Sequence, residues 1–361
     1  MNEADAPFRP DPAGWAARGI VGGLVVWVVL FYPINLFSPF HVSGPEANAA
    51  AEAVIFAVIG LSLNVLIGYA GTISLGHQAF VGMGAFTSAY VVSQLNQEFY
   101  AGLVVAALLG GLQAILLGLV SLRISGLYFS LITLSYGVMA QASLFQINSL
   151  TGGTAGQPAP RPTGFESDYR YYILCVAGLG IVLWLDWRLT RSKGGRALLA
   201  LRENPRVAAS MGINVRGATL LAFGVAGVFA GIGGSLLAHR DLSVTATPFE
   251  FRLALVFVIM TVVGGLRNRT GVVVGAAFFS LLGSGEILQI LHVEHLLADR
   301  LDLNADVAPL VIGPLLLILT LTMNPGGIGQ QLAPVRDWLR GKRFDIHAGE
   351  THEVQVTDVR A

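Results

Sequence analysis

Apolar residues in this chain gather into long unbroken runs instead of recurring at every second position or along one helical face. The runs cover residues 19–38, 47–70, 73–95, 99–122, 127–147, 171–189, 218–239, 249–266, 271–291 and 305–323. A helix needs roughly 20 apolar residues to cross the hydrocarbon core of a bilayer. Backbone groups in lipid must find partners within the protein, so each run predicts a transmembrane helix. Strands of a membrane barrel would alternate in polarity, and these runs do not. The pattern predicts an all-α integral membrane protein with about ten transmembrane helices. Composition agrees: 54% of residues are hydrophobic and 12% charged, against roughly 25% charged in an ordinary soluble protein. Residues 1–18 are polar, with Arg9 and Arg18 ahead of the first run, a layout shared with secretory signals. The length of that run, and the many that follow, predict a retained first span. The expected organisation is an N-terminal extension over 1–18, a membrane domain over 19–325 and a polar tail over 326–361.

Charge orients the spans. Arg188, Arg191, Lys193, Arg196, Arg202, Arg206 and Arg216 crowd one connection, the 190–217 loop and its approach. Lys and Arg collect in cytoplasmic loops. Placing that connection inside also places Arg123, Arg267, Arg269, both termini and the basic tail residues Arg336, Arg340, Lys342 and Arg343 inside. Connections 39–46, 96–98, 148–170, 240–248 and 292–304 then face outward, with Glu294, Asp299 and Asp302 among them. An even span count divided into two sets of about five gives halves of opposite orientation, which permits a 5+5 inverted repeat with a site near the midplane.

Several classes of chemistry drop out. Net charge is zero, and no basic patch is interleaved with aromatics, which sets nucleic acid aside. No GxxxxGK[ST], HExxH or CxxC occurs, so no catalytic residue, metal site or cofactor is expected. The one cysteine, Cys175, lies in an apolar run. Glycine pairs four apart, Gly227 with Gly231 and Gly271 with Gly275, suit close helix crossings.

Polar residues inside the runs mark the candidate functional segments. In 64–86, Asn64, Thr72, Ser74, His77 and Gln78 sit at membrane depth among Gly68, Gly71 and Gly76. An unpartnered polar group there costs on the order of 2–7 kcal/mol. The glycines allow a broken helix that offers backbone groups to a polar ligand, so the segment is expected to line a substrate pathway. For His77 and Gln78 the competing expectation is a tie between helices. Thr133 and Tyr136 share a face of the 127–147 run and are candidates for the same pathway. Thr151, Gly152 and Gly153 form a turn on the outer side, either an ordinary connection or an outer gate or docking point. In the basic loop, Ala197, Leu198, Leu201, Ala208 and Met211 predict short amphipathic helices, the second opened by Pro205. They form either a positive-inside anchor or a partner surface. Glu250 and Arg252 stand at a span entrance, and Glu286 lies near the end of another; intramembrane charge is a functional candidate by default.

Three stretches, Leu63–Phe80, Gly126–Phe129 with Leu150–Gly153, and Gly195–Ile213, together with Val263–Arg267, resemble the branched-chain amino-acid ATP-binding-cassette permeases of the LivM type. The likeness covers roughly residues 50–330. The resemblance implies a non-enzymatic translocation subunit in a bacterial inner membrane. It also implies a second related permease as heterodimer partner, two cytoplasmic ATPase subunits and a periplasmic substrate-binding protein. It makes 195–213 the ATPase-coupling region, with Arg196, Arg202, Glu203, Asn204 and Gly212 on the matching positions. Other readings are an importer for urea or short amides, an ion-coupled secondary transporter, and a membrane anchor that transports nothing.

Overall fold

A computed structural model describes residues 44–124, 126–153, 156–283 and 327–331, together with Pro334 and Trp338. The 19–38 and 305–323 runs, Glu286, the N-terminal extension and most of the tail lie outside the described residues, as do Thr154 and Ala155. Within the described residues the apolar runs are largely helical. They are α1 (Gly44–Leu63, continued by a π-helical turn Asn64–Tyr69), α2 (His77–Ser93), α3 (Phe99–Ser121), α4 (Leu127–Ala142), a short α5 (Asn148–Thr151), α6 (Asp168–Arg191), α7 (Lys193–Glu203), α8 (Pro205–Ser210), α9 (Val215–Arg240), α10 (Phe251–Gly264), α11 (Arg269–Gly283) and α12 (Ile328–Gln331). Among the described residues, five helical stretches are long and apolar enough to cross a membrane: Glu46–Tyr69, Phe99–Ser121, Leu127–Gln146, Asp168–Arg191 and Val215–Arg240. The 73–95 run is not one helix. Residues 71–74 and Gly76 are non-helical, and α2 begins only at His77.

Helix starts follow local chemistry. Ser192, Asn204 and Asn214 cap α7, α8 and α9, each side-chain oxygen accepting from an amide of the first turn. Such caps satisfy donors that the helix itself cannot. Pro205 opens α8, where its missing N–H costs nothing. Asp168 in the first turn of α6, and Arg188 and Arg191 in its last, match the helix dipole. The Arg188 and Arg191 guanidiniums lie over the Trp184 and Trp187 rings, 5.4 and 4.3 Å from the centroids, which suits a membrane–water boundary.

The bundle packs around α9, with α2 and α3 against it. Small residues set the spacing. A Cβ added to Gly110 of α3 would come within 2.5 Å of the Gly227 carbonyl oxygen, and one added to Gly84 of α2 within 2.5 Å of that of Gly231. The Gly227/Gly231 pair therefore serves crossings within this chain. Gly275 of α11 meets Gly264 of α10 in the same way, at 2.7 Å from its Cα. The other face of α3 is exposed and carries Tyr100, Val104, Leu108, Leu112 and Leu116 at a spacing of four. Large apolar groups outward and small ones inward is the arrangement expected in lipid, where close packing replaces the hydrophobic drive between helices.

At the end of the bundle assigned outward, loop 156–167 is stitched down. Gln157 and Pro158 pair antiparallel with Val244 and Ser243. Arg161 forms an ion pair with Asp168 at 2.8 Å. Arg240 reaches Glu52 at 2.7 Å and the Asn48 carbonyl at 3.2 Å. Burial pushes the Asp241 carboxyl above its ordinary range, opposed by Arg240 and Arg161.

Candidate functional site

The polar segment flagged in the sequence is a helix break. After Leu63 the helix widens into the π turn Asn64–Tyr69; such widened turns cluster at functional sites. The Ala70 amide donates to the Val65 carbonyl at 3.1 Å and the Thr72 amide to the Leu66 carbonyl at 2.9 Å. Gly71 then turns with φ +69°, a conformation that favours glycine. From here to Gly76 the backbone lacks the bonds of a regular helix. α4 replaces some of them with hydroxyls: Ser130 Oγ donates to the Ile73 carbonyl at 3.1 Å, and the Leu75 amide donates to Thr133 Oγ1 at 3.0 Å. Thr133 in turn donates to the Ser130 carbonyl at 2.8 Å. Replacement of lost ladder bonds by neighbouring Ser and Thr is how irregular backbone survives at membrane depth. Gly76 and Gly137 let the segment and α4 touch; a Cβ on Gly76 would lie 3.3 Å from the Gly137 amide.

The predicted pathway residues divide between this break and helix ties. Ser74 and Thr133 are buried within it, and the Ser74 hydroxyl has no protein partner among the described residues. Thr72 is half-buried and the neighbouring Ile73 is 50% exposed, so the break reaches the surface of this chain. Tyr136 is half-buried; its hydroxyl accepts from Gln113 Nε2, and its ring lies 6.4 Å from that of Phe80. Gln78 is fully buried, with both amide atoms unpartnered among the described residues. His77 is a tie. Ser62 Oγ donates to the Ala226 carbonyl at 2.6 Å, so it can only accept from His77 Nε2–H, at 2.8 Å. His77 thereby joins α2, α1 and α9 in one chain of bonds. Asn64 faces the other way: its Oδ1 accepts from the Arg267 amide at 2.8 Å.

Around the π turn, four elements converge. The α10–α11 turn presses on it, with Arg267 held at φ +69°, a strained conformation for a residue with a Cβ. Arg202 of α7 donates to the Gly68 carbonyl. Glu203 pairs with Arg267 at 3.7 Å across an exposed gap. From α6, Asp186 Oδ2 accepts from the Tyr69 hydroxyl at 3.1 Å and from Arg269 Nε. Burial, then the charge of Arg267, holds the Arg202 guanidinium below its ordinary pKa.

The α7–α8 hairpin has two faces. Leu198, Leu201 and Ala208 are buried against the bundle, whereas Val207 is 47% and Met211 74% exposed. Of the apolar positions that predict these helices, Met211 therefore faces outward. Arg196 is exposed and donates to the Arg191 carbonyl at 3.1 Å. Asn204 caps α8, and Gly212 ends it at φ +78°. On the other side of the bundle, Thr151 is buried and closes its own turn: its hydroxyl bonds the Phe145 and Ile147 carbonyls at 3.0 and 2.9 Å. Gly152 and Gly153 follow with φ of +73° and +59°. Glu250 is exposed at the start of α10, and Arg252 is exposed in its first turn. Nothing in the linear pattern marks Asp186 or Arg269 as partners. The one available signal is an acid inside the 171–189 run.

A helical bundle with membrane-length apolar spans, an interruption after the Glu46–Tyr69 span and a basic amphipathic hairpin bolted to that interruption defines a multi-pass membrane protein. A profile of the family described as branched-chain amino acid transport system / permease component matches residues 47–320, and the chain belongs to that family. It is 31% identical over 266 residues to the high-affinity branched-chain amino acid transport system permease protein LivM of Escherichia coli (strain K12), covering 66% of this chain and 63% of the relative. It is 30% identical over 279 residues to the LivM of Salmonella typhimurium (strain LT2), covering 70% and 65%. The ribose import permease protein RbsC of Escherichia coli (strain K12) is 25% identical over 258 residues, 70% of each chain. The chain thus spans a little under two thirds of the length of the LivM relatives it matches. No solved structure matches.

Proposed function

We propose that this chain is one translocation subunit of an ATP-driven importer for branched-chain amino acids. The family match over 47–320 carries the reading, because that span contains both the helix break and the α7–α8 hairpin. In this account the chain pairs with a second related permease and lies in the bacterial inner membrane with both termini cytoplasmic. Two ATPase subunits complete the importer, and this chain docks onto the ATPase through α7–α8, where Val207 and Met211 stand out among Lys193, Arg196 and Arg206. A periplasmic binding protein delivers substrate at the opposite face, near the Thr151–Gly153 turn. The break, with Thr72, Ser74, Thr133 and Tyr136, lines the passage; Gln78 stands behind it, its amide atoms unpartnered among the described residues. A largely apolar lining with a few hydroxyl and amide groups suits a zwitterion with an aliphatic side chain. The comparisons favour neither the amide importer nor the ion-coupled transporter.

The test is uptake of labelled leucine into vesicles holding this chain with its second permease and ATPases, binding protein supplied outside. The expected result is ATP-dependent uptake, competed by valine and isoleucine but not by urea or short amides. Uptake by this chain alone without ATP, or competition by amides only, would overturn the assignment.

A further inference from the structure

We infer that Arg202 is a positioning residue that couples the α7–α8 hairpin directly to the helix break. This rests on the reading of the break as part of the passage. Arg202 is one residue from the end of α7, yet it does not project with the exposed face of the hairpin. It is half-buried, and its guanidinium donates to the Gly68 carbonyl in the π turn. Its stem lies along Gly71, where an added Cβ would come within 2.9 Å of Arg202 Cγ and 3.5 Å of its Cα. One side chain therefore touches the last turn of α1 and the first residue of the non-helical stretch.

The two ends of that stretch are held by different elements. Its far end is tied to α4 through Ser130 and Thr133. Its near end is tied to α7 through Arg202. Displacement of α7 relative to α4 must therefore change the path of residues 71–76, which have few backbone bonds of their own. Asn64 and Glu203 add a second connection, through Arg267, that keeps the α10–α11 turn in step with the same movement. Arg202 acts on the passage through the backbone at Gly68 and Gly71, and a transported molecule need never touch it.

The experiment uses the full complex in nanodiscs, with Cys175→Ala removing the native thiol and Thr72→Cys reporting on the break. Modification by an impermeant thiol reagent is timed without nucleotide and with ATP and vanadate. Arg202→Met keeps the stem over Gly71 but removes the donor, and Arg202→Lys restores a donor. The parent should show a modification rate that changes about tenfold between the two states, an ordinary size for coupling between sites. In Arg202→Met the rates should converge, and uptake per ATP by the same complex in proteoliposomes should fall, with ATPase subunits still bound and hydrolysing. In Arg202→Lys much of the difference should return. A nucleotide response that survives Arg202→Met overturns the relay and leaves the passage assignment standing. Absence of any response at position 72 in the parent overturns both.

Discussion

Replacing Gly231 with valine should leave no stably folded protein. At this position α9 meets two helices at once. An added Cβ would press on the Ala106 carbonyl of α3 and come within 3.1 Å of the Ala107 Cα. On the other side, Gly84 of α2 approaches the Gly231 carbonyl so closely that a Cβ there would sit at 2.5 Å. These neighbours are backbone atoms, so no rotamer change relieves the clash. Overpacking usually costs 1–3 kcal/mol; with whole helices forced apart, about 4 kcal/mol or more is expected. Gly180 is the matching control, since nothing lies within 4 Å of a Cβ added there. Gly180→Ala should be neutral or stabilise by about 0.5–1 kcal/mol through helix propensity. Thermal stability in detergent, followed by size-exclusion profile, checks both. A monodisperse Gly231→Val variant with an unchanged midpoint would refute the packing scheme.

The second large effect lies at Asp186 and Arg269. Asp186 is fully buried near the end of α6, and its Oδ2 accepts from Tyr69 and Arg269. Arg269 also donates to the Asp186 carbonyl at 3.2 Å and to the Thr190 hydroxyl. Removing one member of a buried pair costs about 3–5 kcal/mol, because the other charge is left without compensation. The two single substitutions should not be equal. The Arg269 side chain is 24% accessible and that of Asp186 is not accessible at all. A stranded arginine can reach toward the headgroups, whereas a stranded carboxylate cannot. Arg269→Ala should therefore lower the melting midpoint more than Asp186→Ala. The double substitution should recover part of the loss. Equal effects, or strict additivity in the double variant, would show that the pair is not a coupled unit.

Much of the framework is legible in the linear pattern because lipid leaves the backbone few choices. The apolar runs within the described residues are helical apart from the start of the 73–95 run, and α8 begins where Pro205 predicts. The break at Gly68–Gly76 is also legible, since glycines and polar residues coincide there. Its internal wiring is not. That His77 serves as a tie depends on Ser62, fifteen residues away, and on the Ala226 carbonyl, which carries no side-chain signature. Arg202 reads as one of many basic residues in its loop; only the fold brings it to the Gly68 carbonyl. Asp186 looks like a charge at the edge of a span until Arg269 is placed against it. Met211 shares the amphipathic spacing of Leu198, Leu201 and Ala208, but α8 ends at Ser210 and Met211 is exposed. Periodicity records which elements form, whereas long-range hydrogen bonds depend on how those elements cross.

The importer account stands on the α7–α8 hairpin facing the compartment that holds ATP. Met211, exposed on that hairpin, is the place to ask. With Cys175→Ala as background, Met211→Cys should resist an impermeant maleimide added to intact cells and react with it in inside-out vesicles. Labelling from outside intact cells, with protection in the inverted vesicles, would put the hairpin on the wrong face and contradict the account.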